Sequence, residues 1–255
     1  MVKIILWMVC ILVQGAFVVD ARAITIAQPV TTERASYRIY YTGIPIGTVV
    51  LWREVNDGYE KITASVKTTG LLRVFNKQKR TLEVMGKHHN GVFTPIMYEA
   101  RVEYPHKKRL TTISYDAGAM REVLHTPELL PRDEISLDKV GTAYDPLTSA
   151  VYLLHFMADA SLHHQPFATK IFDGKRLLMG YAFPHLSKDA ACVAPCRAYQ
   201  LSYKPLLGYD AEEQEDARKQ RPLVIHYHRE QSYFPLSLIA KGVFGKIEVR
   251  RVKED

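Results

Sequence analysis

Apolar and polar residues alternate along most of the chain, and Gly-containing turns interrupt the alternation. A period of two is typical of strands that bury one face. The turns at Asn56–Gly58, Asn90–Gly91 and Asp173–Gly174 contain Asn-Gly or Asp-Gly signals that suit tight hairpins. The pattern therefore predicts a mainly β protein with a curved antiparallel sheet of about ten to twelve strands. Such a sheet would be open or partly closed like a barrel, because curling protects its edges.

One segment breaks this pattern and predicts an α-helix from Pro146 to about Ala158. Asp145 is a good N-cap, proline suits the first helical position, and Leu147, Val151 and Leu154 recur at helical spacing. We expect this helix to cover the curved sheet, with its apolar stripe as ordinary core. Residues 125–144 are interpreted as a long connection. Residues 210–221 carry almost no apolar side chains and are interpreted as an exposed loop or a frayed helix.

The N-terminus has the pattern of a secretory signal. Lys3 precedes an apolar run from Ile4 to Val19, and Ala21 and Ala23 then form a small-x-small cleavage pattern. The run is shorter than the roughly 20 residues of a membrane-spanning helix. We predict a cleaved signal peptide over residues 1–23 and a single β-rich periplasmic domain over residues 24–255, without a transmembrane span in the mature chain. An uncleaved N-terminal anchor is the alternative.

Two cysteines, Cys192 and Cys196, remain after removal of the signal and lie in the stretch ACVAPC. Disulfides form and persist in exported proteins, so we predict that this pair forms a structural disulfide. Its short loop would stabilise the fold by roughly 2 kcal/mol. A redox-active pair, a metal clip and free thiols are the alternatives.

The chain is basic, with 34 Lys and Arg against 27 Asp and Glu and a formal net charge of +7. Outside the cytoplasm, anionic partners would be lipid head groups or cell-wall polymers, and we expect no nucleic acid partner. The clusters at Asn76–Arg80 and His106–Arg109 are candidates for a functional basic patch. The alternative is that both are solvated strand faces or loops.

No catalytic motif appears in the sequence. It contains no Gly-x-Ser-x-Gly elbow, no His-Glu-x-x-His and no phosphate or dinucleotide loop. His226 and His228 would share one face of a strand, but no further metal ligand stands at a recognisable spacing. We therefore assign no catalytic residue, no metal ligand and no cofactor. An envelope enzyme is the least favoured of three functional hypotheses.

Seven short segments occur in a characteristic order along the chain. They are YRIYYTGIPIGTV, TTGLLRVF, TPIMYEA, YDPLTSAVYLL, FDGKR, CRAYQLSY and FPLSLIAKGVFGKIEV. In this order they resemble the bacterial exported proteins grouped as domain of unknown function 3108, over nearly the whole chain from Ser36 to Val249. The resemblance implies a β-rich envelope protein of Gram-negative bacteria. It implies no activity and no catalytic residue.

Apolar residues also occupy turn positions where polar residues are usual. Ile44 and Ile46 flank Pro45 in GIPIG, and Leu71, Leu72 and Phe75 follow Gly70. We interpret these five as a contact surface for an apolar or amphipathic envelope ligand such as a lipid. The alternative is that they only close the core. The first functional hypothesis is therefore non-catalytic binding or carriage of such a ligand, and the second is an envelope-maintenance protein that binds protein or cell-wall partners.

Overall fold

The computed structural model of the protein describes residues 31–70, 78–89, 92–130, 134–159, 161–162, 164–186, 196–219, 222–228, 232–242 and 245–252. These residues form thirteen β-strands and three α-helices. The strands are β1 (Thr31–Tyr41), β2 (Ile44–Asn56), β3 (Tyr59–Thr68), β4 (Lys79–His89), β5 (Val92–Tyr104), β6 (Lys107–Asp116), β7 (Ala119–Thr126), β8 (Phe167–Phe172), β9 (Leu177–His185), β10 (Arg197–Leu207), β11 (Leu223–Tyr227), β12 (Ser237–Gly242) and β13 (Gly245–Val252). The helices are α1 (Leu137–Val140), α2 (Pro146–Ala158) and α3 (Ala211–Arg218).

All thirteen strands belong to one antiparallel sheet. Its order is β7-β6-β5-β4-β3-β2-β1-β13-β12-β11-β10-β9-β8, so nearly every strand lies beside its neighbour in sequence. The exception is the seam at which the first strand pairs with the last, with Ser36 opposite Val252 and Tyr41 opposite Ile247. The sheet is not closed, because β7 and β8 are its two edges.

The alternation in the sequence corresponds to the two faces of this sheet. In β1, Ala35, Tyr37 and Ile39 are buried, whereas Arg38 between them is exposed. Buried residues from strands of both halves of the sheet and from α2 form one continuous apolar cluster. Large aromatic side chains such as Tyr98, Phe172 and Tyr227 are fully buried in it. The concave side of the sheet is therefore filled by a packed core.

Helix α2 lies across one end of the curved sheet. The Tyr152 hydroxyl donates to the Phe93 carbonyl at 2.8 Å, and Arg197 donates to the Met157 carbonyl at 2.8 Å. The Phe156 ring lies 5.3 Å from the ring of Phe167. Phe93, Phe167 and Arg197 lie at or next to the starts of their strands. We call this end of the sheet the helix end, and the opposite end, where β1 turns into β2, the tip end.

A short segment before α2 bridges the space between the two sheet edges. The Tyr144 N–H donates to the Lys170 carbonyl at 3.0 Å, and Phe172 donates to the Tyr144 carbonyl at 2.8 Å, so Tyr144 extends the β8 edge. The next residue, Asp145, is hydrogen-bonded to Tyr115 of β6. One side chain also joins the edges directly, because His125 Nε2 of β7 lies 2.9 Å from the Gly174 carbonyl beyond β8.

The structure confirms the predicted fold class, a curved antiparallel sheet that is partly closed and covered by a helix. The number of strands is thirteen, slightly above the predicted range, and α2 has the predicted start and end. The segment near 210–221 contains a regular helix, α3, with a capping box between Asp210 and Glu213. The connection predicted over 125–144 contains the end of β7 and the four-residue helix α1. Among the described residues, no helix combines the length and apolar character needed to cross a membrane.

Candidate functional site

The β1–β2 hairpin turn, residues 42–46, contains two of the predicted contact positions, Ile44 and Ile46, and is called the tip here. Thr42 and Gly43 both have positive φ, 49° and 83°, as a two-residue type I′ turn requires. The Thr42 N–H donates to the Lys246 carbonyl at 2.7 Å, which fixes the turn to β13. A β-bulge shifts the register next to the turn, because Tyr40 lies opposite Pro45 whereas Ile39 lies opposite Gly47, which leaves Ile46 without a partner in the β1–β2 register.

The chain leaving β3 holds the other side of the tip. The Thr69 N–H donates to the Ile46 carbonyl at 2.9 Å. Gly70 has a φ of +62°, and a Cβ at this position would lie 2.8 Å from the Pro45 carbonyl oxygen. Glycine is therefore required there both by its backbone conformation and by the close approach to Pro45. The tip is a constrained turn that is held from two sides.

The two predicted isoleucines of the tip differ in exposure. Ile46 is half-buried and packs against the core, as the alternative interpretation expected. Ile44 leaves 53% of its surface exposed although it is a large β-branched residue. The core therefore accounts for Ile46 but not for Ile44.

The remaining predicted site residues lie mostly outside the described residues. Leu71, Leu72 and Phe75 follow Gly70 within residues 71–77, and Cys192 falls within residues 187–195. Cys196 is described and directly precedes β10. The contact role of the first three and the pairing of the two cysteines stay predictions.

A buried polar network surrounds Asp145, the residue that caps α2. Its Oδ1 accepts from the backbone N–H groups of Leu147 and Thr148 at 2.7 and 2.9 Å. Its Oδ2 accepts from the Tyr115 hydroxyl at 2.7 Å and the Thr148 hydroxyl at 2.5 Å. Burial raises the pKa of the Asp145 carboxyl, and the hydrogen bonds from Thr148, Tyr115 and Leu147 act in the opposite direction. All four acceptor contacts are used to anchor α2, so this arrangement is structural.

A second set of charged groups lies on the inner face near the helix end. Arg53 Nε lies 2.8 Å from Glu60 Oε1, and the Glu60 side chain is fully buried. The Arg53 guanidinium also stacks over the Tyr233 ring at 5.3 Å. Glu33 accepts from the Ser232 hydroxyl at 2.8 Å and from the Tyr233 N–H at 3.3 Å. These contacts fasten residues 232–234 over the helix end.

The inner ion pair was not among the predicted site residues, although the sequence contains a signal for it. Arg53 and Glu60 are in phase with Leu51 and Ile62, two residues buried on the inner face. A strict count of the period-two alternation would therefore have placed both charges inside the sheet.

The histidine pair considered as a weak metal signal has a different role. His226 is buried, and its Nδ1 lies 2.8 Å from the Ser237 hydroxyl on the neighbouring strand. His228 lies one residue beyond the end of β11. Across the described ranges, no three His, Cys, Asp or Glu side chains lie close enough together to hold one metal ion.

Comparison with known proteins identifies a matching family and a similar solved structure. The model of the family "Protein of unknown function (DUF3108)" matches residues 36–183, from β1 into β9. No curated protein matches the sequence. A crystal structure of a β-barrel-like protein of domain of unknown function DUF1849 from Brucella abortus is similar, with 11% sequence identity and a TM-score of 0.46. That likeness covers 88% of this chain and 96% of the other.

Proposed function

The chain belongs to the DUF3108 family of proteins of unknown function, and we propose that it is a non-catalytic binding protein of the bacterial cell envelope. Its ligand would be apolar or amphipathic, such as a lipid, and would contact the tip. The observation that carries this proposal is the exposure of Ile44 on a turn that is held from both sides. A constrained apolar side chain binds at a lower entropic cost than a mobile one.

The packed interior decides between two modes of binding. A carrier that encloses its ligand needs an apolar cavity, but the concave side of this sheet is occupied by buried side chains from the strands and α2. Contact at the surface of the tip end needs no such cavity. We therefore favour binding at the tip over enclosure inside the sheet.

The cellular location belongs to the same proposal. The apolar run from Ile4 to Val19 and the small-x-small pattern at Ala21 and Ala23 support export to the periplasm and cleavage after residue 23. Mature protein recovered from a Gram-negative periplasm should begin at Ile24. The Cys192 and Cys196 thiols should resist alkylation unless the protein is first reduced. An N-terminal sequence that retains the apolar run would overturn the export proposal.

A protein partner in the envelope is the second candidate, because a filled core with an exposed apolar residue also suits a protein contact. Binding of a soluble short-chain lipid separates the two. The probe is dihexanoylphosphatidylcholine, used below the concentration at which it forms micelles. We expect the purified protein to bind this probe and Ile44→Ser to bind it about tenfold more weakly, since a buried isoleucine side chain contributes about 1.5–3 kcal/mol.

Val92→Ser is the matched control for this experiment. Val92 is also β-branched, is 58% exposed, and begins β5 at the helix end. Its replacement should leave probe binding unchanged. If the wild-type protein does not bind the probe, or if the two variants lose binding equally, lipid contact at the tip is wrong and the protein-partner candidate takes its place.

A further inference from the structure

A row of basic side chains crosses the outer face of the sheet near the tip end. Residues at one register position on eight adjacent strands, β12, β13, β1, β2, β3, β4, β5 and β6, lie directly opposite one another. They are Ser237, Arg250, Arg38, Thr48, Lys67, Lys79, Glu103 and Lys108. Five of the eight are basic and one is acidic. We call these eight residues the basic row.

The basic members of this row point towards solvent. Arg38 and Lys67 are exposed between buried neighbours on their strands, and Arg250 is exposed next to the buried Val249. Lys79 and Lys108 are exposed as well. Adjacent strands are roughly 4.8 Å apart, so the positive charges are close enough to act together on one partner.

At two places in the basic row, residues of like charge lie directly opposite each other on adjacent strands. Arg38 faces Arg250, and Lys67 faces Lys79. Such pairs destabilise a sheet. Nearby acidic groups offset only part of this repulsion between like charges. Glu248 pairs with Arg250, and a carboxylate oxygen of Glu103 lies 4.0 Å from Lys79 Nζ. An anionic partner would offset the remaining repulsion between these basic side chains.

The basic excess is confined to the tip end of these strands. Four residues nearer the helix end, the outer-face positions on six of the same strands again lie opposite one another. They are Arg34, Trp52, Thr63, Glu83, Glu99 and Thr112. This second row has two acidic residues and one basic residue. The charge therefore changes along the strands, and the positive part lies beside the tip.

We propose that the basic row and Ile44 together form a docking surface for an anionic lipid bilayer. Thr48 in the row is four residues from Ile44, roughly 13 Å along an extended strand. Apolar side chains of peripheral proteins enter a bilayer by about 5–10 Å, and basic residues attract anionic head groups over about one screening length. An anionic polymer in solution would use the charges but not the exposed isoleucine. This docking proposal rests on the proposed lipid contact at the tip. It adds that the contacted lipid belongs to an anionic bilayer.

Vesicle flotation tests this docking. The purified full chain is mixed with vesicles of equal parts phosphatidylglycerol and phosphatidylcholine, or of phosphatidylcholine alone. We expect binding to the anionic vesicles only, and its loss in salt of about 1 M, where the screening length falls to about 3 Å. Combined replacement of Lys67→Ser and Lys79→Ser should weaken binding about thirtyfold, because each basic residue near such a surface contributes about fivefold.

Lys61→Ser with Lys87→Ser is the matched control. These lysines lie on the same two strands, β3 and β4, at the helix end. Their replacement removes the same charge and should leave vesicle binding unchanged. Thermal melting of both double variants establishes that each is folded. Equal binding to neutral vesicles, or equal loss in the two double variants, would overturn the proposal.

Ile44→Ser distinguishes a bilayer from an anionic polymer. It should weaken vesicle binding but leave binding to soluble dextran sulfate unchanged. If the protein binds dextran sulfate but not the anionic vesicles, or if Ile44→Ser has no effect on vesicle binding, the surface binds a polymer instead. Binding of the uncharged soluble lipid probe is measured in parallel. Retained probe binding without vesicle binding would refute the docking surface alone, whereas loss of both would also refute the lipid contact at the tip.

Discussion

Asp145 shows how one residue links the helix to the sheet. It caps α2 through the N–H groups of Leu147 and Thr148, and the same carboxylate accepts a hydrogen bond from Tyr115 on β6. Asp145 is fully buried. A buried N–H or hydroxyl group that loses the Asp145 carboxylate would remain in the core without a hydrogen bond, and this lowers the free energy of unfolding.

We predict that Asp145→Ala lowers the free energy of unfolding by about 3–5 kcal/mol, through loss of the cap and burial of unsatisfied donors. Asp210→Ala is the control, because Asp210 caps α3 through the Glu213 N–H at the protein surface. Its replacement should cost about 1 kcal/mol. Urea unfolding followed by circular dichroism measures both values. Similar costs for the two variants would show that the buried network adds nothing to the cap.

The Asp145 carboxyl should also make stability depend on pH. Burial raises its pKa above the ordinary value of 3.8. At a pH between the ordinary pKa of the unfolded chain and the raised pKa of the folded protein, the folded protein binds more protons than the unfolded chain. Asp145 therefore makes the fold less stable as pH rises from about 3.8 through the folded pKa. Asp145→Asn removes the effect. Relative to the wild type, the variant should be most destabilised below about pH 4 and less so near pH 7. A difference that grows with pH in urea unfolding would contradict the raised pKa.

The cap was predictable from the sequence, but its partner was not. An aspartate followed by proline and an apolar helical stripe is a local signal of a helix start. Tyr115 is 30 residues away, and only the curvature of the sheet brings its hydroxyl to Asp145. The local sequence pattern therefore predicted that Asp145 caps the helix, but it did not predict that Asp145 is buried or that it contacts Tyr115.

Helix α2 provides the comparable test for an element. Leu154 is fully buried in the core, whereas its neighbour Leu153 is only partly buried. Leu154→Ala should cost about 2–5 kcal/mol in the free energy of unfolding. Leu153→Ala should cost about 1 kcal/mol, because less apolar surface is removed from the core. Chemical denaturation gives both numbers. Small and equal effects would mean that α2 is peripheral to the core.

Ten of the thirteen strands were predicted from the sequence, and the other three, β4, β7 and β12, were missed for different reasons. Strand β7 is an edge strand with no buried residue along its length, so polar residues occupy both of its faces. Strand β4 begins within a basic cluster that looked like a solvated segment. Strand β12 has only six residues. The pairing of β7 and β12 with longer neighbouring strands, rather than their own pattern, makes them strands.

At the scale of the whole molecule, one histidine side chain joins the two sheet edges directly. His125 Nε2 must donate to the Gly174 carbonyl, so its Nδ1 accepts from the Thr111 hydroxyl, with distances of 2.9 and 3.0 Å. A Cβ at Gly174 would lie 2.5 Å from Thr111 Cγ2, which shows how closely the edges approach. The two edges are thus connected by this histidine as well as by the segment of Tyr144 and Asp145.

We predict that His125→Ala destabilises the protein by about 1–2 kcal/mol and loosens this side of the sheet first. Amide hydrogen exchange should become faster in β7 and β8 while β1 and β2 remain protected. His106→Ala is the control, because His106 is exposed on the turn between β5 and β6. Uniformly faster exchange in all strands would show that the contact does not hold the edges specifically.

The candidate site was partly predictable at this scale. The apolar composition of GIPIG identified the tip, and the structure separates the exposed Ile44 from the packed Ile46. The basic row could not be predicted, because its eight members come from eight different strands and become neighbours only through the register of the sheet. The sequence clusters Asn76–Arg80 and His106–Arg109 each supply one member, Lys79 and Lys108.

The pairing of β1 with β13 affects the order in which the sheet can form during synthesis. A ribosome produces β1 first and β13 last, yet the two are hydrogen-bonded neighbours near the middle of the sheet. Until β13 has been synthesised, β1 has an unpaired edge that other chains could join. Its partner is also the most distant segment in the sequence, which makes this pairing slow to form. We therefore expect the chain to need protection from aggregation, by a chaperone or by delayed folding, until β13 is available.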